Sequence, residues 1–194
     1  IALQEDFETY NYMAGVQVQL DLLEDAVKTV TRMVELEPEG IVCYQMGANV
    51  CYLREDYEGM LQYATKFAEL DKENATPLLL MAKAEKGLKN DLNTIVNLTK
   101  AITLQEDFIE AYQMRAEVLF EMQQYTEALK DIEYILAIYP DNEASLLLRG
   151  KIKESQGEVE SALEDYKAIV DANPFNEQAY LALGQLLIAQ KRFE

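Results

Sequence analysis

Histidine is missing from this chain altogether. Its absence removes the commonest general base, the imidazole partner of a serine or cysteine nucleophile, and the commonest zinc ligand. Proline and glycine are sparse, four and eight in 194 residues, and no low-complexity tract interrupts the chain, so the sequence reads as one folded array without a linker. No apolar run approaches the roughly 18 residues needed to span a bilayer, and no charged-then-apolar leader opens the sequence. Positive charge is also scarce. Lys and Arg number 17 against 35 acids, a formal net charge of −18, which argues against nucleic acid as a partner, because phosphate binding rests on basic side chains. An anionic membrane surface is disfavoured for the same reason. The many carboxylates are expected to solvate an outer face. Cys43 and Cys51 are the only two cysteines. On one helix they sit about 12 Å apart by helical rise, too far for a disulfide. Free thiols point to a reducing cytoplasm; a bacterial cell envelope is the alternative if a signal peptide has been removed.

What the chain does have is a period. Blocks beginning at Phe7, Ile41, Ala75, Ile109 and Glu143 place Ala14, Ala48, Ala82, Ala116 and Gly150 in one column, and Ala26, Met60, Thr94, Ala128 and Ala162 in a second. Pro38, Pro140 and Pro174 close three of the blocks. A small residue lets two helix backbones approach closely, so each block is read as a pair of amphipathic helices meeting at these columns. Proline cannot donate a backbone hydrogen bond and disfavours helix before it, so it ends one helix ahead of the next. Asn142 and Asn176 are then N-caps. The second and third blocks depart from the pattern, with Met60 and Thr94 in the tight column and Lys72 and Glu106 where the others have proline. Looser packing is expected there.

The fourth block, through Tyr112, Ala116, Tyr125, Ala128 and Pro140, resembles the tetratricopeptide repeat family column by column. The fifth follows with Gly150, Ala162, Tyr166 and Pro174, and the first with Tyr10, Ala14, Ala26 and Pro38. The resemblance implies an all-α fold, a right-handed superhelical solenoid of antiparallel helix pairs in 34-residue repeats. Its expected boundaries are 7–40, 41–74, 75–108, 109–142 and 143–176. Residues 1–6 are read as the end of a preceding repeat, because Leu3-Gln4-Glu5-Asp6-Phe7 recurs as Leu104-Gln105-Glu106-Asp107-Phe108, and residues 177–194 as the first helix of a sixth. Neither end reads as a polar cap, so the array is expected to be a fragment, with homo-oligomerisation through uncapped ends as a further expectation.

The family resemblance also implies that the first helix of each repeat lines a concave groove through its positions 2, 5, 9, 12 and 13. Those positions select Asn49, Tyr52, Leu53, Lys83, Lys86, Gln113, Glu117, Phe120 and Lys151 as the candidate peptide-binding residues, with Asn11, Gln45, Leu79, Glu121, Leu147, Leu181 and Gln185 beside them. Aromatic and aliphatic anchors amid amides suit peptide recognition. Leu79, Leu147 and Leu181 have an alternative place in the core. Lys83, Lys86 and Lys151 read as a local positive spot favouring an acidic peptide. The Lys, Asn and Arg clamp with which one subclass of the family holds chaperone tails is not present.

Catalysis finds no support. Ser145, Ser155 and Ser161 lie on expected helices without a sharp nucleophile turn, no glycine-rich phosphate loop exists, and the cysteines lack metal-ligand spacing. Pairs such as Glu117 and Glu121 arise by chance on an acidic helical surface, and the Asn97-Leu98-Thr99 sequon is a chance match within a helix. The expected function is a non-enzymatic scaffold or adaptor that binds a peptide or helix of a partner protein, without cofactor or metal. The alternative is a self-assembling spacer module of a larger protein.

Overall fold

The computed structural model describes residues 6–190; what the sequence implied for residues 1–5 and 191–194 lies outside them. Among the described residues the secondary structure is helical throughout, eleven helices and no strand. They fall into two compact units, Ile1–Asp107 and Phe108–Glu194. Unit 1 contains α1 (Phe7–Gln19), α2 (Leu23–Leu36), α3 (Ile41–Leu53), α4 (Tyr57–Leu70), α5 (Thr76–Gly87) and α6 (Asp91–Leu104). Unit 2 contains α7 (Ile109–Glu121), α8 (Tyr125–Ile138), α9 (Glu143–Ser155), α10 (Val159–Ala172) and α11 (Glu177–Ala189). Each odd-numbered helix from α1 to α9 packs on the even-numbered helix after it. The fold is an all-α helical repeat.

The two small columns are the contact line of each pair. Ala14, Ala48, Ala82 and Ala116 are wholly inaccessible, and so are Ala26, Met60, Thr94, Ala128 and Ala162. Met60 and Thr94 were expected to loosen their repeats. They do not: both are fully buried, and Thr94 satisfies its hydroxyl by donating to the Asn90 carbonyl at 3.1 Å. Sixteen residues after the first small column stands its opposing residue: Val30, Ala64, Leu98, Ile132 and Tyr166, each at most 1 % exposed. Side-chain volume is traded across this line. The largest of the five, Tyr166, faces Gly150, the one position of the column without a Cβ.

The neighbouring pair of columns solves the same contact by different chemistry. In unit 2, Arg115 grips Asp131 through Nε at 2.8 Å and Nη2 at 2.7 Å, and Arg149 grips Asp165 at 3.0 and 2.6 Å. Lys153 adds a third bond to Asp165 at 3.0 Å. One repeat earlier the equivalent residues are Met81 and Asn97, and before that Gly47 and Tyr63, whose ring fills the space a Cβ on Gly47 would need. Asn97 is buried, so the sequon it heads is not open to a glycan in the folded chain.

Turns obey the period as well. Between the helices of each pair one residue adopts a left-handed backbone: Asp21, Glu55, Lys89, Gln123 and Gly157, with φ between 57° and 79°. The next residue donates back across the turn, Leu22 to Gln17, Asp56 to Cys51, Asn90 to Glu85, Gln124 to Leu119 and Glu158 to Lys153, at 2.8–2.9 Å. This bond satisfies a carbonyl the helix end leaves open. Pro38, Pro140 and Pro174 each stand two residues beyond a helix end. Asn142 and Asn176 accept from the backbone N–H of Ser145 and Ala179 at 2.9 Å, capping α9 and α11 as the sequence implied.

Both cysteines are free and buried. Burial pushes the Cys51 thiol up to about 11, with the Asp56 carboxylate adding to it, and raises Cys43 in the same way beside Glu37. Burial likewise raises the Tyr63 and Tyr166 phenols, Tyr166 further through its 3.0 Å hydrogen bond to Glu154. All four are acids that keep their protons longer when folded. The folded state therefore binds more protons than the unfolded chain above about pH 9, and stability present below that pH is lost as pH rises towards 11. Cys51 alone is expected to remove about 2 kcal/mol over that range. Urea titrations at pH 8 and pH 10.5 measure it, and a midpoint that does not fall would contradict the account. The same burial predicts that neither thiol reacts with a disulfide reagent until the chain unfolds.

Candidate functional site

On α7, Gln113, Glu117, Phe120 and Glu121 recur at helical spacing and share one face. On α9, which packs against α7, Ala144, Leu147, Leu148 and Lys151 do the same. These eight residues and Gln178 of α11 line a cleft of about 290 Å³. The leucines are at most 9 % exposed and form its floor. Phe120 is half-buried and tilts against Tyr125, ring centres 5.8 Å apart.

The wall is braced from below. Ser145 is wholly buried in the first turn of α9, where its hydroxyl donates to Gln113 Oε1 at 2.8 Å. Gln113 Nε2 in turn donates to Glu117 Oε1 at 3.1 Å. The amide is thus held in one orientation, and so is the carboxylate it contacts. No group of three or more His, Cys, Asp or Glu side chains able to hold a metal occurs among the described residues. No described helix is long and apolar enough to cross a membrane.

Of the residues singled out in the sequence, Gln113, Glu117, Phe120 and Lys151 meet in this cleft, together with Glu121 and Leu147. Unit 1 holds the others except Leu181 and Gln185, which lie on α11. Gln45, Asn49, Tyr52 and Leu53 form an exposed stripe on α3, with Tyr52 and Leu53 about half accessible, and Lys83 and Lys86 are half-buried on α5, which packs beside α3. Leu79 is buried in unit 1, whereas Leu181 is exposed on α11. Asn11 on α1 has its Oδ1 buried without a partner among the described residues. Ala144, Gln178, Leu148 and Ser145 were not selected from the sequence. Ala144 and Gln178 hold the second position of their blocks, so the column itself carried the signal; Leu148 and Ser145 became visible only through the packing of α9 on α7.

A family model for the tetratricopeptide repeat matches residues 114–177 and again 147–194. The matched stretch, residues 114–194, is tetratricopeptide repeat sequence. Over 111 residues the chain is 30 % identical to a TPR repeat-containing protein of Rhizobium etli, an alignment covering 56 % of the chain. The chain spans about half of that relative, 54 % of its length. Among solved structures, YrrB, described as a TPR protein with an unusual peptide-binding site, superposes with a TM-score of 0.73 at 21 % identity over 92 % of each chain. PilF of Pseudomonas aeruginosa superposes with a TM-score of 0.79 at 16 % identity over 96 % of this chain and 85 % of its own. At these identities the two structures speak for the fold alone. Tetratricopeptide repeats commonly serve as non-catalytic scaffolds for protein–protein interaction.

Proposed function

We propose that this chain is a non-enzymatic interaction scaffold that holds a peptide segment of a partner protein in the cleft between α7, α9 and α11. One observation carries the reading: an apolar floor of Leu147 and Leu148 beside Phe120, rimmed by an oriented amide and charged groups, in a cleft sized for one or two side chains. That arrangement matches the anatomy of an interaction hot spot, an aromatic anchor with polar groups around it. The exposed stripe of Asn49, Tyr52 and Leu53, with Lys83 and Lys86 on α5, is a second contact surface, within unit 1. The peptide-binding site of YrrB is consistent with such a use of the fold and adds no residue to it.

The test is peptide selection on the intact chain, repeated with Phe120→Arg and Ala144→Arg. Ala144 is exposed, so arginine there obstructs the cleft without entering the core. Each variant is expected to keep the wild-type melting curve by circular dichroism and to lose binding by about tenfold or more. A selected peptide that binds both variants as tightly as wild type would sink the proposal. Should Phe120→Arg unfold the chain, Ala144→Arg still decides.

A further inference from the structure

The small residue at the eighth position of each first helix is a contact point, and one of these points is open. Ala14, Ala48, Ala82 and Ala116 are wholly inaccessible, and a Cβ on Gly150 would meet the ring of Tyr166. Gly184 holds the same position on α11, and a Cβ there would meet nothing within 4 Å. Around it Tyr180, Leu183 and Leu187 recur at helical spacing and complete one apolar face. On α7 the equivalent face, Tyr112, Arg115, Ala116 and Leu119, is covered by α8, whose Tyr134 stacks on Tyr112 with ring centres 4.3 Å apart. On α9 it is covered by α10. Among the described residues α11 has a helix packed before it, α10, and none after, and Tyr180 is left 48 % accessible.

Two residues of this face define what fits it. Gly150, the other eighth-position residue without a Cβ, receives Tyr166, the bulkiest side chain of the opposing column, so Gly184 calls for a comparably large side chain. The seventh position is Arg115 on α7 and Arg149 on α9, and each holds a buried aspartate of the covering helix, Asp131 and Asp165. On α11 that position is Leu183. An aspartate laid on Leu183 would be buried without a cation, so the covering residue is uncharged, as Asn97 is in the repeat that carries Met81. A second copy of the chain has no such helix to spare, since α2, α4, α6, α8 and α10 are each packed on the helix before them. We propose that α11 docks an amphipathic helix of a partner protein in the place that α10 takes on α9. A large apolar or aromatic side chain of that helix enters at Gly184, and an uncharged one lies on Leu183. Gln178 stands on the opposite side of α11, so the docking face is separate from the cleft and does not depend on it.

The probe is a synthetic peptide with the sequence of residues 158–173, which spans α10, made as it stands and with Asp165→Leu. Each is titrated into the intact chain and read by fluorescence anisotropy. The Asp165→Leu peptide is expected to bind about tenfold more tightly than the unaltered one. Leu183→Arg in the chain restores the cation of the two preceding repeats and should reverse that preference. Gly184→Ala separates docking from folding. Alanine gains helix propensity in open space, so the melting temperature should hold or rise, while the new Cβ obstructs the peptide's tyrosine and weakens binding about tenfold. Phe120→Arg should leave peptide binding unchanged, which keeps this test distinct from that of the cleft. Light scattering at the same concentrations should show a monomer. Binding of neither peptide, a preference unmoved by Leu183→Arg, or equal binding to wild type and Gly184→Ala would overturn the proposal. A dimer lost on Leu187→Glu would overturn it too, by giving the face to a second copy.

Discussion

Asp165→Ala is expected to destabilise the chain by about 3 kcal/mol, the largest effect of any single substitution considered. Asp165 is 4 % exposed and accepts from both Arg149 and Lys153. Alanine leaves two cations facing each other in a pocket from which water is largely excluded, and the cost is that of uncompensated charge rather than of two lost hydrogen bonds. The side chains of Arg149 and Lys153 are 27 % and 20 % accessible, which places the effect at the lower end of the range for breaking a buried pair. Urea denaturation followed by helicity measures it. The repeat supplies its own control, since the columns that hold Arg and Asp in unit 2 hold Met81 and Asn97 one repeat earlier. Installing Met and Asn together at 149 and 165 is therefore expected to cost less than Asp165→Ala alone. A single Asp165→Ala variant within about 1 kcal/mol of wild type would mean that the ion pair contributes little beyond its packing.

Gly150→Ala comes second, and its sign runs against helix propensity. In an open helix the change would gain about 1 kcal/mol. Here the added Cβ collides with the edge of the Tyr166 ring, which is wholly buried, so a net loss of about 1–3 kcal/mol is expected. Tyr166→Ile on its own should open a cavity beside Gly150. Combined, the two substitutions recreate the Ala116 and Ile132 arrangement of the preceding repeat and should recover most of what either loses. Additive losses in the double variant would show that volume is not exchanged across this contact.

The two predictions show which parts of the molecule were legible in the sequence. Ala14, Ala48, Ala82, Ala116 and Gly150 announced the helix contacts because a backbone-to-backbone approach tolerates few residue types. The prolines and the capping asparagines were readable for the same reason. The left-handed turns were not. Four of the five are occupied by Asp21, Glu55, Lys89 and Gln123, and only Gly157 carries the residue such a backbone normally signals. Met60 and Thr94 looked like faults in the pattern and proved to be fully buried members of it. A contact column accepts a larger or polar residue when its neighbours yield space or a hydrogen bond, and that compensation has no local signature.

The site was less legible. Helical spacing placed Gln113, Glu117 and Phe120 on one face of α7 and Lys151 on α9, and the cleft brings them together. Spacing within a helix says nothing about the register between helices. For that reason Leu79 and Leu147, equivalent by position, part company: one is core, while the other floors the cleft.

The central claim is that the α7, α9 and α11 cleft receives a peptide side chain. Nuclear magnetic resonance of the isotope-labelled chain, titrated with a peptide obtained by selection, tests it most directly. The account predicts that amide and methyl shifts concentrate on Gln113, Glu117, Phe120, Leu147, Leu148 and Lys151, and saturate with the affinity measured in solution. Shifts confined to the outer faces of α8 and α10, with those six residues unmoved at saturation, would contradict it.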